Sequence, residues 1–176
     1  RQPNIPEAPS ARPVTVSEPR SVEQTPPHVE AMPGVEQALR AGVRRWEGTP
    51  HRWGGTDRSG VDCSGLVMVL YQDLFGLRLP RSTSGQVTAG EPVGPDELQT
   101  ADLVFFRPAK SQHVGIYLRG GEFAHASASR GVMVSNINDR CWQNAYWTAQ
   151  RVLPEPQRST AAAEKVRPLQ PVAGRT

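Results

Sequence analysis

Two textures alternate along the chain. Val35, Leu39, Val43 and Trp46 recur at four- and three-residue steps, predicting an amphipathic helix that stops at Gly48 and Pro50. Leu66, Val67, Leu70, Tyr71, Leu74 and Phe75 repeat that spacing and predict a second helix, with Asp62 as its N-cap and Gly76 as its stop. Ser82 or Thr83 can cap a short third helix running through Val87. From Asp102 the period changes to strands. Leu103-Val104-Phe105-Phe106 is a short apolar run, and His113 to Leu118 alternates. Glu122 to Ser127 and Val132 to Ser135 follow, and Trp142, Tyr146, Trp147 and Arg151-Val152-Leu153 close the series. Helices first and an antiparallel meander afterwards make an α+β domain.

Composition sets the limits of that domain. Residues 1–34 hold eight prolines and few large apolar side chains, so they cannot bury enough surface to offset their ordering entropy. They are expected to form a disordered, extended tether, and residues 154–176 a disordered C-terminal tail. The folded unit is then 35–153, one domain within 176 residues. A net charge of +3, without basic runs interleaved with aromatics, excludes nucleic acid as the partner. Two cysteines make no disulfide framework. The chain starts at Arg1 rather than Met, so an upstream segment is expected, and any signal peptide or lipidation cysteine would lie there.

Candidate chemistry gathers at Cys63, where the loop Gly60-Val61-Asp62 enters the second helix. Unpaired N–H groups and the positive end of the helix dipole favour a thiolate there. On position alone a small buried hydrophobe is an equally good reading, since free cysteine is among the most buried residue types. His113 and His125 lie on consecutive strands, and hairpin register decides whether they meet. A two-residue Gly120-Gly121 turn would put them on opposite faces. A three-residue loop, Leu118-Arg119-Gly120, pairs Tyr117 with Gly121 and sets His113 directly opposite His125, with Gly120 in the left-handed position the loop needs. The second register is the one expected. It yields a nucleophile in Cys63, a base in His113 and an orienting ring in His125, with the Cys63 N–H as oxyanion donor. The strongest competing use of one Cys and two His is a metal site, but the ligand spacing of a closed zinc site is missing. No metal is expected.

These segments carry a family resemblance. Trp53-Gly54-Gly55, Asp62-Cys63-Ser64-Gly65, Leu79-Pro80-Arg81-Ser82-Thr83 with Gln86, Asp102 to Phe106, His113 to Tyr117 and Phe123 to Ser127 closely resemble the NlpC family, in its Spr-type murein endopeptidase branch. These are papain-like cysteine peptidases that cleave peptidoglycan stem peptides. The resemblance implies a circularly permuted papain-like fold, a Cys63-His113-His125 triad, no cofactor, peptidoglycan as partner and a place in the cell envelope. A monomeric domain, anchored through a preceding segment and restrained by an envelope adaptor or inhibitor, belongs to the same expectation.

The resemblance also implies finer roles. Asp62, Ser64 and Ser82 match positions that contact the stem peptide in some members, although helix capping explains Asp62 and Ser82 equally well. Arg81 could meet a substrate carboxylate or be a solvated loop arginine. His51 stands where many relatives carry a tyrosine aimed at the oxyanion region; an imidazole N–H can replace it, and a surface loop histidine is an equally good reading. Ala101 stands where relatives usually carry glycine, which asks for a backbone without positive φ. Cys141, beside Trp142, reads as a packed residue, and Asp102 as a tie for a loop. The rivals are a thiol acyltransferase or amidase of the same superfamily and a non-catalytic wall-binding module. Acyltransferases acting on lipid generally place the histidine before the cysteine, the reverse of the order here, and a pure binder needs no nucleophile.

Overall fold

The computed structural model describes residues 33–155. The tether expected at 1–34 and the tail expected at 154–176 fall almost wholly outside them. Helix α1 spans Pro33–Trp46, two residues earlier than the expected boundary at Val35, and buries Val35, Leu39, Val43 and Trp46. Proline suits a first helical position, where its missing N–H costs nothing. Gly48, at φ 77°, turns the chain away. Strands β1 (Thr56–Asp57) and β2 (Gly60–Val61) make a small hairpin that delivers the chain to α2, Cys63–Phe75. Asp62 caps α2 by accepting the Gly65 N–H at 2.7 Å, and Gly76 ends it at φ 65°. Helix α3, Thr83–Gln86, is capped by Ser82, whose Oγ accepts the Gly85 N–H at 3.2 Å.

The main sheet holds β3 (Glu91–Pro92), β4 (Asp102–Phe106), β5 (His113–Tyr117), β6 (Glu122–Ser127), β7 (Gly131–Asn136) and β8 (Tyr146–Arg151). Its order is β3-β8-β4-β5-β6-β7, antiparallel throughout. The meander therefore holds from β4 to β7. Beyond it the chain differs from expectation: after a short helix α4, Arg140–Ala145, strand β8 begins at Tyr146 and returns to pair with the far side of β4. Every residue of β4 is buried, so both of its edges need hydrogen-bonding partners.

The two faces of the sheet differ. Leu103, Phe105, Val114, Ile116, Ala124, Ala126 and Val132 form one core with Leu39, Leu66, Val67, Leu70 and Tyr71 of α1 and α2. Each fully buried Val, Leu, Ile or Phe side chain there contributes about 1.5–3 kcal/mol. On the other face Val104, Phe106, Phe123 and Ala149 pack under Trp142 and Tyr146.

Two local expectations are corrected. The β5–β6 loop has three residues, but it is Arg119-Gly120-Gly121. Leu118 donates its N–H to the Glu122 carbonyl at 2.8 Å, and Tyr117 pairs with Phe123 rather than Gly121. Gly120 and Gly121 both take positive φ, 61° and 88°, which lets the turn close one place later. Ala101 adopts φ 69°, against the expectation of an ordinary backbone. Its N–H donates to the Tyr117 carbonyl at 2.9 Å and its carbonyl accepts the Tyr71 hydroxyl, so packing on both sides holds the turn. The left-handed conformation costs an L-residue about 1–2 kcal/mol.

Candidate active site

The first turn of α2 is fixed by a carboxylate. Asp62, 5% exposed, accepts N–H groups from Gly54 and Gly65, each at 2.7 Å, and the Ser64 hydroxyl at 3.3 Å. It also receives both ends of the Arg81 guanidinium, at 2.9 and 2.8 Å. Burial alone would push its carboxyl up. The Arg81 bond, with the Gly65 and Gly54 N–H groups, outweighs that and holds it below the usual carboxylate range. Arg81 further donates to Ser64 Oγ at 3.0 Å and to the Gly55 carbonyl at 3.2 Å. Gly65 makes this approach possible, because a Cβ there would lie 2.4 Å from the Gly55 oxygen. Asp62, Ser64 and Arg81 thus form one strut tying the loop over 54–55 to the start of the helix, and Ser82 is a helix cap.

Cys63 is the first helical residue and 6% exposed. Its N–H has no acceptor among the described residues. Its sulfur lies 3.7 Å from Thr83 Oγ1, a neighbour that sequence reading took only as a possible cap. Among the described residues no hydrogen bond joins the sulfur to either histidine ring.

His113 and His125 share a face of the sheet. The shifted turn moves the pairing by two positions, setting Tyr117 opposite Phe123 and Ile116 opposite Ala124, so the direct opposition expected of His113 and His125 is lost. A shift of two keeps the parity of the pleat, which is why the rings still meet. His113 Nε2 lies 2.9 Å from His125 Nδ1, and the rings are edge to face. His125, 2% exposed, continues through Nε2 to Ser135 Oγ at 2.9 Å. Trp142 stacks on His113 with ring centres 5.6 Å apart, and Phe123 lies against His125 at 5.0 Å.

Sequence reading missed Ser135, Trp142 and Phe123 as members of this layer. The β6–β7 register pairs Phe123 with Ser135 and so carries the serine onto the histidine face. Burial lowers His113 to about 4, helped by the charge of His51, and lowers His125 to about 3, helped by His113. Both rings are neutral at neutral pH.

His51 connects the two halves of the site. Its backbone bridges Val61, two residues before Cys63, and its ring meets Trp53 edge to face at 5.4 Å. The same ring is close enough for its charge to act on His113. The loop ahead of α2 is thereby within electrostatic range of the first residue of β5, and β5 packs against α2. Beside His125 opens a cavity of about 530 Å³, reached by Ser135, Arg130, Trp142 and Cys141. Cys141 is exposed, against the expectation that it packs: Trp142 takes the inward position on α4 and its neighbour faces out. Asp102 accepts Arg151 Nε and Nη2 at 3.0 and 2.8 Å and the Gln99 N–H, which makes it the loop tie expected of it. Among the described residues no three His, Cys, Asp or Glu side chains gather as metal ligands.

A two-helix layer, an antiparallel sheet and a cysteine at a helix start describe a papain-like domain. The NlpC/P60 family model matches residues 48–151, and the chain belongs to the NlpC/P60 family. It is 47% identical over 121 residues to the "Probable endopeptidase NlpC" of Escherichia coli K12, covering 67% of this chain and 79% of that protein. It is 45% identical over 109 residues to the E. coli K12 "Murein DD-endopeptidase MepS/Murein LD-carboxypeptidase", covering 61% of this chain and 58% of the relative. A solved NlpC/P60 family protein from Bacillus cereus superposes with a TM-score of 0.62 at 31% identity, over 68% of this chain and 40% of that one.

Proposed function

We propose that this domain is a cysteine endopeptidase that hydrolyses amide bonds in peptidoglycan stem peptides or cross-links, within the cell envelope. The observation that carries the reading is the neutral His113–His125 pair, bonded at 2.9 Å, in a family whose relatives here are named endopeptidases.

In this reading His113 Nδ1 takes the thiol proton of Cys63, and the sulfur attacks the scissile carbonyl carbon. The developing thiolate favours the imidazolium by proximity, which offsets the burial that keeps the ring neutral at rest. The tetrahedral oxyanion faces the Cys63 N–H, with the His51 N–H as a second donor. His113 then gives its proton to the leaving amine, and a thioester remains on Cys63. Water, deprotonated by His113, attacks that thioester; the acid departs and the proton returns to sulfur.

Asp62, Ser64 and Ser82 border the substrate side of this site. Arg81, 38% exposed in its side chain, has an Nε–H with no partner among the described residues, available to a stem-peptide carboxylate. The bond is D-Glu–diaminopimelate within a stem or D-Ala–diaminopimelate across a cross-link. An envelope adaptor or inhibitor, and an anchor preceding the domain, complete the reading.

The test is digestion of purified wall fragments by the wild type and by Cys63→Ala, with new termini identified by mass spectrometry. Fragments released by the wild type alone support the reading, and the new termini identify the bond. Equal release by both removes Cys63 as nucleophile. Wall binding without release by either chain favours a binding module instead.

A further inference from the structure

The hydrogen-bonded row at the site does not end with the histidines. We infer that Ser135 is a positioning residue, whose hydroxyl accepts the His125 Nε2–H and thereby fixes the proton arrangement that leaves His113 Nδ1 free to act as base. This inference rests on the proposed Cys63–His113–His125 chemistry. The geometry beneath it stands separately: His113 Nε2 to His125 Nδ1 and His125 Nε2 to Ser135 Oγ are both 2.9 Å.

A neutral imidazole carries one N–H, so each ring can donate one bond and accept one. With both rings neutral, the row has two arrangements. In the outward one, His113 Nε2–H donates to His125 Nδ1, His125 Nε2–H donates to Ser135 Oγ, and His113 Nδ1 keeps its lone pair. In the inward one, the Ser135 hydroxyl donates to His125 Nε2, His125 Nδ1–H donates to His113 Nε2, and His113 Nδ1 already bears its proton. Only the outward arrangement can accept the thiol proton at Nδ1. Once His113 becomes imidazolium its Nε2–H must be donated, and the inward arrangement would set two N–H groups against each other. The outward arrangement thus has to hold before and after the transfer, and it needs an acceptor beyond His125.

Ser135 Oγ is the acceptor that the structure supplies. His125 is 2% exposed and confined by Phe123 and Trp142, whose ring centres lie 5.0 and 5.1 Å away. It cannot turn its Nε2–H to bulk water without leaving His113. Without the hydroxyl, no other acceptor among the described residues is bonded to that N–H, and moving the proton to Nδ1 relieves the deficit at the expense of the base. Ser135 touches neither the sulfur nor, in this reading, the substrate. Its removal should lower kcat and leave KM almost unchanged.

The experiment joins ring 15N chemical shifts to steady-state kinetics on wall fragments, for wild type, Ser135→Ala, Ser135→Thr and His113→Ala. The wild type should show a pyrrole-type Nε2 and a pyridine-type Nδ1 on both His113 and His125. Ser135→Ala should shift His125 toward the Nδ1–H form and lower kcat about tenfold, as expected for one lost hydrogen bond behind the ring that supports the His113 imidazolium. Ser135→Thr, which keeps the hydroxyl, should restore both readouts to within about twofold of wild type. A pyridine-type Nε2 on His125 in the wild type overturns the inference. So does an inactive His113→Ala alongside a Ser135→Ala with unchanged shifts and rate, and that outcome leaves the triad standing. A fully active His113→Ala overturns the triad and this inference together.

Discussion

Among the described residues two Asp–Arg pairs bury their carboxylates in nearly the same geometry, and they do different work. Asp62 and Arg81 meet at 2.8 Å beside the start of α2, and Asp102 and Arg151 meet at 2.8 Å between β4 and β8. Both carboxylates also accept backbone N–H groups. The first pair fixes the loop that carries Gly54 to the helix beginning at Cys63. The second ties the returning strand β8 to the turn before β4, on the face of the sheet that carries Val104, Phe106 and Ala149 under α4. Charge chemistry alone does not separate a structural tie from part of a site. What separates them is the neighbour each pair holds still.

The largest expected contrast comes from truncating each carboxylate. Asp62→Ala and Asp102→Ala each strand an arginine, at about 3–5 kcal/mol of stability, with Asp62 toward the lower figure because Arg81 is partly exposed. Activity per folded molecule should then diverge. Asp62→Ala loses about 100-fold through displacement of Cys63, and Asp102→Ala stays within about threefold. Wall-digestion rates corrected for folded fraction by circular dichroism measure this. Equal losses in both variants would erase the distinction.

Acid titration gives the next effect and separates the site's groups from each other. His113 and His125 have folded pKa values of about 4 and about 3, below the ordinary value of 6.5. The unfolded chain therefore binds more protons once pH falls below 6.5. Stability is full above that pH and declines by about 1.4 kcal/mol per pH unit per ring, levelling off below the folded values. Asp62, also held below its ordinary 3.8, keeps its contribution throughout that window and loses it only as pH falls below 3.8. Urea unfolding of the wild type and of His125→Gln between pH 7 and 4.5 reads this directly. The variant keeps the His113 share of the slope, so the wild type should be the steeper of the two; equal slopes would contradict burial of a neutral His125. The acid limb of kcat/KM should likewise lie near pH 4 rather than near 6.5.

Smaller effects sharpen the same contrast. Arg81→Lys gives up a bidentate fork and about 1 kcal/mol, a rate loss of about fivefold, and Arg151→Lys gives up a similar stability with no rate loss. Ala101→Gly, next to Asp102, should relieve the left-handed backbone and raise stability by up to about 1 kcal/mol, less the entropy glycine adds to the unfolded chain. Thermal melts read the stabilities, and wall-digestion rates per folded molecule read the difference between Arg81→Lys and Arg151→Lys.

Local order was legible in the chain and long-range pairing less so. The α2 helix could be read with both caps because Asp62 and Gly76 act within one turn of it. The shared face of His113 and His125 was legible through parity, although the register itself was two positions off. Gly120 and Gly121 can each sit left-handed, and no residue chooses between the two turns. Two features had no local signal. Arg81 reaches Asp62 across 19 residues, and β8 passes β7 to find β4, because those partners are set by packing rather than by spacing. Ser135 lay inside a strand that was read correctly, and only the β6–β7 register shows that it meets His125.

The central claim is that Cys63 is a thiol activated by His113, and the protein carries its own control. Cys141 is exposed and Cys63 is 6% exposed, so access alone favours labelling of Cys141. Iodoacetamide labelling at pH 7, resolved by peptide mass spectrometry in wild type and His113→Ala, compares the two thiols in one tube. The account expects Cys63 to label faster than Cys141 in the wild type and to lose that lead in His113→Ala. Faster labelling of Cys141 in the wild type, with no change on removing His113, would contradict it.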